Sequence, residues 1–436
     1  MKKLILGGFL LLSGMLQAQT PMTLKEAVSI AIRNNLNVRQ NELTVETSRN
    51  NLLQSKLALL PSAQANASQS LNYGRSIDPY TNGYVNQQLN ASNFSLSASL
   101  ILYNGLYYRN MIRQNDLLVK ATEQDVQQAK DVITINTILA YLQVLSSEDQ
   151  VNLATQQLEA SKMQLERTAE LVKAGNLAPS DEYTLGSQVA NDQLSLVNAQ
   201  GQLKLNRLTF WQTLNSPQTP LDFTLERLAP EGEMGYETSA TKIYESADQN
   251  LAVIKAAKYR VLSMEQLVRA QKGLLTPQLS LNSFISTRYS STASINYADQ
   301  LGNNFNRNFS LDLSIPIFRS WLYKNRIQNA IVDKKKAEVQ VYNAQVQVKQ
   351  GIEQAYANLE VAKMRYEALE NQVVSFTETL NAAESRFQAG TLNVVEYNIA
   401  KTNLDRAKLN QVQARYDYLF RVKILDYYQG KNLFVD

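Results

Sequence analysis

Residues 144–174 read VLSSEDQVNLATQQLEASKMQLERTAELVKA, and the spacing within them sets the architecture of the chain. Val144, Val151, Leu158, Leu165 and Val172 recur every seven positions, and three positions after each of the first four stand Ser147, Ala154, Ser161 and Thr168. A sustained apolar repeat of seven winds helices left-handedly about one another. The small side chains of the second column let a partner helix approach closely. Followed outward, the helical pattern extends from Leu106 to Ala174 without an internal proline. A second run, Trp321 to Ala389, carries the same columns as Leu359, Tyr366, Val373, Leu380, Phe387 and Ala362, Leu369, Phe376, Ala383. At ~1.5 Å per residue each run makes a rod of roughly 100 Å, against an ordinary helix of about 11–12 residues.

The likeness of the two runs extends beyond them. A shift of 215 residues pairs Asn35-Leu36 with Asn250-Leu251 and Asn93-Phe94-Ser95-Leu96 with Asn308-Phe309-Ser310-Leu311. It also pairs Tyr108 with Tyr323, Asn110 with Asn325, Ala140-Tyr141 with Ala355-Tyr356, Ala174-Gly175 with Ala389-Gly390, and Leu177 with Leu392. From Asn93 onward no gap is needed, which marks an internal duplication. The chain divides into one unit at 19–215, a Pro-containing connector at 216–240, a second unit at 241–430 and a tail at 431–436. A short strand is expected in the connector around Phe223 to Leu225.

Each unit has the same order. Thr23-Leu24-Lys25-Glu26 is a capping box, opening a helix expected to run to about Leu59 and to stop at Leu60-Pro61. The period then changes from 3.6 to 2. Strands are expected at Ser62–Tyr73 and Asn93–Tyr103, with a polar loop, Gly74 to Ser92, between them. The long helix follows and ends at Ala174-Gly175-Asn176, after which Pro179, Ser180 and Asp181 start a returning helix to about Asn215. The second unit repeats this with a helix to Leu275, strands at Gln278–Tyr289 and Asn308–Phe318, and a tip at Ala389-Gly390-Thr391. Its returning helix reaches about Tyr428. The β part therefore comprises residues 62–103 and 278–318.

Composition removes several functions. Lys2, Lys3, the apolar Leu4 to Leu12 and Leu16-Gln17-Ala18 read as a secretory signal over 1–18, with the mature chain starting near Gln19. No later stretch has the length of apolar residues a spanning helix needs. With no cysteine and no histidine there is no thiol nucleophile, Ser-His-Asp triad or imidazole metal site, so neither an enzyme nor a cofactor is expected. A net charge of +4, without a basic patch interleaved with aromatics, speaks against nucleic acid as a partner.

The strands point to a membrane. One protomer offers four amphipathic strands, too few to close a barrel, and an open edge cannot face lipid because its amides have no partner. Several copies must then pool strands, and lengths of about 11–12 residues suit an outer-membrane barrel. Where strand meets helix, Tyr103, Tyr107, Tyr108, Phe318, Trp321 and Tyr323 can form an aromatic girdle, edged by Arg109, Arg319 and Lys324. The alternative is that the hairpins fold onto a soluble core. The fold class is mostly α with a β-barrel part: long antiparallel coiled-coil helices and four strands per protomer.

The capping-box helix ending in Leu59-Leu60-Pro61-Ser62, the duplicated strand–long helix–tip–helix unit and the Ala-Gly-Asn-Leu and Ala-Gly-Thr-Leu tips together resemble the TolC-type outer-membrane efflux family over essentially the whole mature chain. The resemblance implies a homotrimer in the outer membrane of a Gram-negative bacterium, its twelve strands closing one barrel and its helices forming a tunnel across the periplasm. It implies as partners a periplasmic adaptor and an inner-membrane pump of RND or ABC type. The function implied is passive export of small molecules in a tripartite efflux system. Alternatives are the exit duct of a type I protein-secretion system and a soluble coiled-coil scaffold or adhesin. By the same resemblance the adaptor docks on Ala174, Gly175, Asn176, Leu177 and Ala389, Gly390, Thr391, Leu392, and Asp181 and Glu396 belong to the pore aperture. The bland alternatives are that the glycines only end helices and the acids only complement a helix dipole. Ile399 stands where the family often has a second acid, and Leu392 where it often has a basic or polar residue, so closure here is expected to be more apolar.

Overall fold

The computed structural model describes residues 21–78, 80–216, 223–227, 236, 238–431 and 433, and the expected signal and mature start lie outside them. The first repeat contains α1 (Leu24–Asn34), α2 (Leu36–Leu57), β1 (Ser62–Asn72), β2 (Arg75–Ile77), β3 (Tyr84–Asn86), β4 (Leu89–Tyr103), α3 (Tyr107–Lys173) and α4 (Pro179–Leu214). The second contains α5 (Ala240–Asn250), α6 (Ala252–Gly273), β5 (Gln278–Ser290), α7 (Tyr297–Asn303), β6 (Asn306–Ser314), α8 (Leu322–Gln388) and α9 (Val394–Gln429). The two long helices α3 and α8 have 67 residues each, and the two returning helices α4 and α9 have 36 each.

Three expectations need correction. The first helix of each repeat is not continuous: extended backbone at Asn35 and Leu251 divides it, and the Asn35 side chain accepts from the Val38 amide at 3.0 Å. Asn35 is an N-cap, a role whose non-helical backbone interrupts an otherwise unbroken apolar period. The 215-residue offset holds for the helices after the sheet, but α1, α2 and β1 are offset by 216 from α5, α6 and β5. The break at Asn35 therefore corresponds to Leu251, and Pro61 to Pro277, one residue away from the pairing read between Asn35 and Asn250. Third, β6 stops at Ser314, short of Phe318, because β5 begins at Gln278 and offers no partner beyond it.

The contacts divide the chain into two compact units that do not follow the repeats, each drawing on both. One comprises the chain up to Val38, Lys130–Ser246 and the chain from Gly351; the other comprises Arg39–Ala129 and Ala247–Gln350. In the first, Tyr141 and Phe210 are fully buried and meet edge to face at 5.9 Å. The Tyr141 Oη lies 2.7 Å from the Glu226 carbonyl and 3.0 Å from that of Met22. It thereby closes over a parallel bridge between Met22 and Leu225, which is what the expected connector strand amounts to. Burial raises the phenol's pKa, so it stays a neutral donor. Tyr141→Phe takes the hydroxyl donor from a part-buried carbonyl and should cost about 0.5–1.5 kcal/mol, read as a lower melting temperature with faster amide exchange at Met22 and Glu226.

The second unit holds one antiparallel sheet in the order β1-β4-β5-β6. Its register sets Ala63, Ala65 and Ala67 beside Ala98, Leu96 and Phe94, which continue to Ser283, Ile285 and Thr287. Leu281 then faces Leu311, and Leu279 faces Leu313. One face is thus predominantly apolar, and Phe94, Leu96, Leu281, Phe309, Leu311 and Leu313 on it are exposed. The opposite face carries mainly Ser, Asn and Gln residues, with Leu89, Ala91, Ile101 and Phe284 among its apolar exceptions. In the loops between strands, Asp78 is buried and accepts from the Tyr80 amide and the Thr81 hydroxyl. Burial pushes its carboxyl up, but the Ser290, Tyr80, Thr81 and Thr292 hydrogen bonds outweigh it and hold the pKa at about 2.

Candidate functional site

Both helical turns end in the same hydrogen-bonded cap. At the first, the Gly175 amide donates to Val172 at 3.0 Å and the Asn176 amide to Leu171 at 2.9 Å. At the second, the Gly390 amide donates to Phe387 at 3.0 Å and the Thr391 amide to Arg386 at 2.9 Å. This is the Schellman arrangement, which needs a left-handed residue where Gly175 and Gly390 stand, at φ 77 and 70. Ala174, Gly175, Asn176, Ala389, Gly390 and Thr391 are exposed. Leu177 and Leu392 are not: they tuck beneath the turns, partly buried against a cluster of Leu185, Phe387, Val394 and Tyr397. The two tips thus share one small core, in which Phe387 and Tyr397 stack at 5.3 Å. Burial lifts the Tyr397 phenol to about 12.

The acids expected at the aperture sit in first turns. Asp181 is half-buried in the first turn of α4, which starts at Pro179 without a side-chain cap. Glu396 is exposed in the first turn of α9, where Asn393 caps the helix by accepting from the Glu396 amide at 2.8 Å. The Asn393 amide group returns a hydrogen bond to the Glu396 carboxylate at 3.0 Å. The carboxylate therefore has a structural task at the helix start and still faces solvent. Ile399, one turn on, is 56% exposed, so the same stretch of α9 presents an acid and then an apolar side chain.

Sequence reading missed a buried ion cluster behind the tips. Lys401 Nζ lies 3.0 Å from Asp192 Oδ2 and 2.6 Å from Asp405 Oδ2. Ser161 donates to the same Asp192 oxygen, and Gln188 donates to the other at 2.9 Å. Lys401 and Asp192 keep only 6% and 10% of their side-chain surface, so the cluster ties α3, α4 and α9 together inside an apolar setting. Burial raises the Asp405 carboxyl pKa against the pull of Lys401. A signal existed: Asp192 lies seven residues after Leu185, and Lys401 seven after Val394, so both occupy core columns. A further apolar cluster of Ala154, Leu158 and Leu196 also packs α3 on α4.

Six aromatics stand at or beside the turns between strand and long helix. Tyr103, Phe318 and Trp321 are exposed, whereas Tyr107, Tyr108 and Tyr323 are half-buried. Lys324 Nζ stands 4.0 Å over the Trp321 ring. In both repeats the turn uses two successive left-handed residues, Gly105-Leu106 and Ser320-Trp321. At Gly105 no side chain fits, since a Cβ would collide with the Gly273 carbonyl and Thr276. No helix among the described residues is long and apolar enough to cross a membrane.

A family model described as outer membrane efflux protein matches residues 27–216 and 243–429. The outer membrane protein TolC of Escherichia coli is 28% identical over 358 residues, covering 78% of this chain and 70% of TolC. The outer membrane efflux protein BepC of Brucella suis is 22% identical over 426 residues, covering 95% of this chain and 87% of BepC. Among solved structures, CusC superposes with a TM-score of 0.81 at 17% identity, covering 95% of this chain and 93% of that one.

Proposed function

The chain belongs to the outer membrane efflux protein family, and on that premise we propose that three copies form the outer-membrane duct of a tripartite efflux system. The duct exports small molecules delivered by an inner-membrane pump of RND or ABC type through a periplasmic adaptor. It breaks no bonds itself, and energy comes from the pump. The observation that carries the reading is the open four-stranded sheet, with an exposed apolar face and two edge strands that must be paired before lipid can surround them. Three such sheets supply twelve strands, and the polar face then lines a lumen.

The remaining sites follow from that assembly. Tyr103, Tyr107, Tyr108, Phe318, Trp321 and Tyr323 lie at the membrane interface, the place such rings favour. The exposed backbone of Ala174-Gly175-Asn176 and Ala389-Gly390-Thr391 meets the adaptor, while Leu177 and Leu392 hold those turns in shape from below. Asp181, Glu396 and Ile399 surround the aperture, and threefold symmetry makes Glu396 a ring of carboxylates that attracts cations.

Detergent-purified protein reconstituted in a planar bilayer should give discrete conductance steps. A water-soluble monomer without channel activity overturns the reading. Glu396→Gln should lower the cation preference of that conductance, because each copy loses one charge at the mouth. Unchanged selectivity removes Glu396 from the pore.

A further inference from the structure

The internal repeat also specifies how neighbouring sheets join, a point that rests on the proposed trimer. Within one chain, β4 of the first repeat pairs with β5 of the second. By duplication β6 is the counterpart of β4, and β1 the counterpart of β5. The β4–β5 seam is thus the internal copy of the seam that β6 would make with β1 of another molecule. Both β1 and β6 are edge strands, each with one side unpaired among the described residues.

The offsets turn this into a register. Phe94-Ser95-Leu96 corresponds to Phe309-Ser310-Leu311, an offset of 215, and Pro61-Ser62 to Pro277-Gln278, an offset of 216. In the β4–β5 seam Leu100 faces Leu281, Ala98 faces Ser283 and Phe94 faces Thr287. Translating each residue to its counterpart, we infer that β6 of one copy pairs antiparallel with β1 of the next, with Ile315 opposite Ala65, Leu313 opposite Ala67 and Phe309 opposite Leu71. All six side chains then lie on the apolar face already described.

A second observation agrees. Ile315, Ile317 and Phe318 are 59%, 95% and 73% exposed and outside any strand, although their counterparts Leu100, Leu102 and Tyr103 all lie within β4. They lack a partner because β5 starts at Gln278, opposite Ser314. The neighbour's β1 reaches past that point, since Ser62–Ala65 faces this stretch in the same register. Ile315–Phe318 therefore joins the sheet only when a second copy arrives.

The chain has no cysteine, so introduced thiols have no competitor. Within one sheet β1 and β6 are three strand spacings apart, roughly 14 Å at ~4.8 Å each, beyond the ~7 Å limit between disulfide-linked Cα atoms. A bond between them can form only between molecules. Leu313→Cys with Ala67→Cys, mildly oxidised in membranes, should convert most of the protein to a covalent three-chain species on a non-reducing gel. Ile315→Cys with Ala65→Cys should do the same, a second pair in case the first fails to assemble. Leu313→Cys with Leu71→Cys, four residues out of register, should remain single chains. Preferential linkage of that last pair, or no linkage in a protein whose native mass is trimeric, overturns the register and leaves the trimer standing. A chain that is monomeric in detergent by native mass overturns both.

Discussion

Lys401→Ala is expected to loosen the paired tips by about 3–5 kcal/mol, the usual cost of removing one member of a buried ion cluster. Asp192 would keep the Ser161 and Gln188 hydrogen bonds but lose the cation paired with it, and Asp405 would lose the same partner. Two carboxylates would remain in a setting that disfavours their charge. The effect should be local, because the cluster joins α3, α4 and α9 behind the tips. Hydrogen exchange of amides in the first turns of α4 and α9 should accelerate by roughly 100-fold to about 4,000-fold, since each ~1.4 kcal/mol is a factor of ten. Amides of the sheet should be unaffected. Lys401→Met combined with Asp192→Leu should recover most of the loss, because apolar side chains replace the pair without stranding its main acid. Exchange at the wild-type rate in Lys401→Ala would show that the ion cluster holds nothing in place.

Leu96→Arg should prevent stable insertion. Leu96 lies in the middle of β4, on the apolar face and 46% exposed, between Ala65 of β1 and Ile285 of β5. An arginine facing the bilayer midplane costs about 2–4 kcal/mol per copy. Three copies in one barrel would raise that to roughly 6–12 kcal/mol, as much as a typical domain's whole stability. Trimer recovered from outer membranes should fall below detection. Ser97→Arg, one residue on and facing the other way, should insert normally and alter only conductance. Equal recovery of the two variants would mean that the sheet does not meet lipid by the face its pattern indicates.

The aromatics and the tips differ in how far residue type alone foretold their surroundings. Trp321 was expected to open α8, yet it stands before the helix in a left-handed turn with Ser320, a conformation no propensity favours for it. The resemblance places Leu177 and Leu392 among the docking residues of the tips, and only the structure shows both folded back onto Leu185, Phe387, Val394 and Tyr397. In the second long helix the same columns are less covered than in the first. Leu359, Ala362, Ala383 and Phe387 are buried, whereas Tyr366, Leu369, Val373 and Phe376 are only half-buried.

The chain's own periods determined the element types, their order and the duplication. A repeat of seven between Val144 and Val172 can be satisfied only by a helix, and alternation from Asn93 to Tyr103 only by a strand, since both follow from backbone geometry. Tertiary structure alone decided which residues share an environment. The Asp192–Lys401 pair, the order β1-β4-β5-β6 and the packing of Leu177 and Leu392 against one cluster each join segments about 200 residues apart. A local period states that a face will be covered; what covers it depends on the path of the rest of the chain, and for β1 and β6 in the proposed trimer on another molecule.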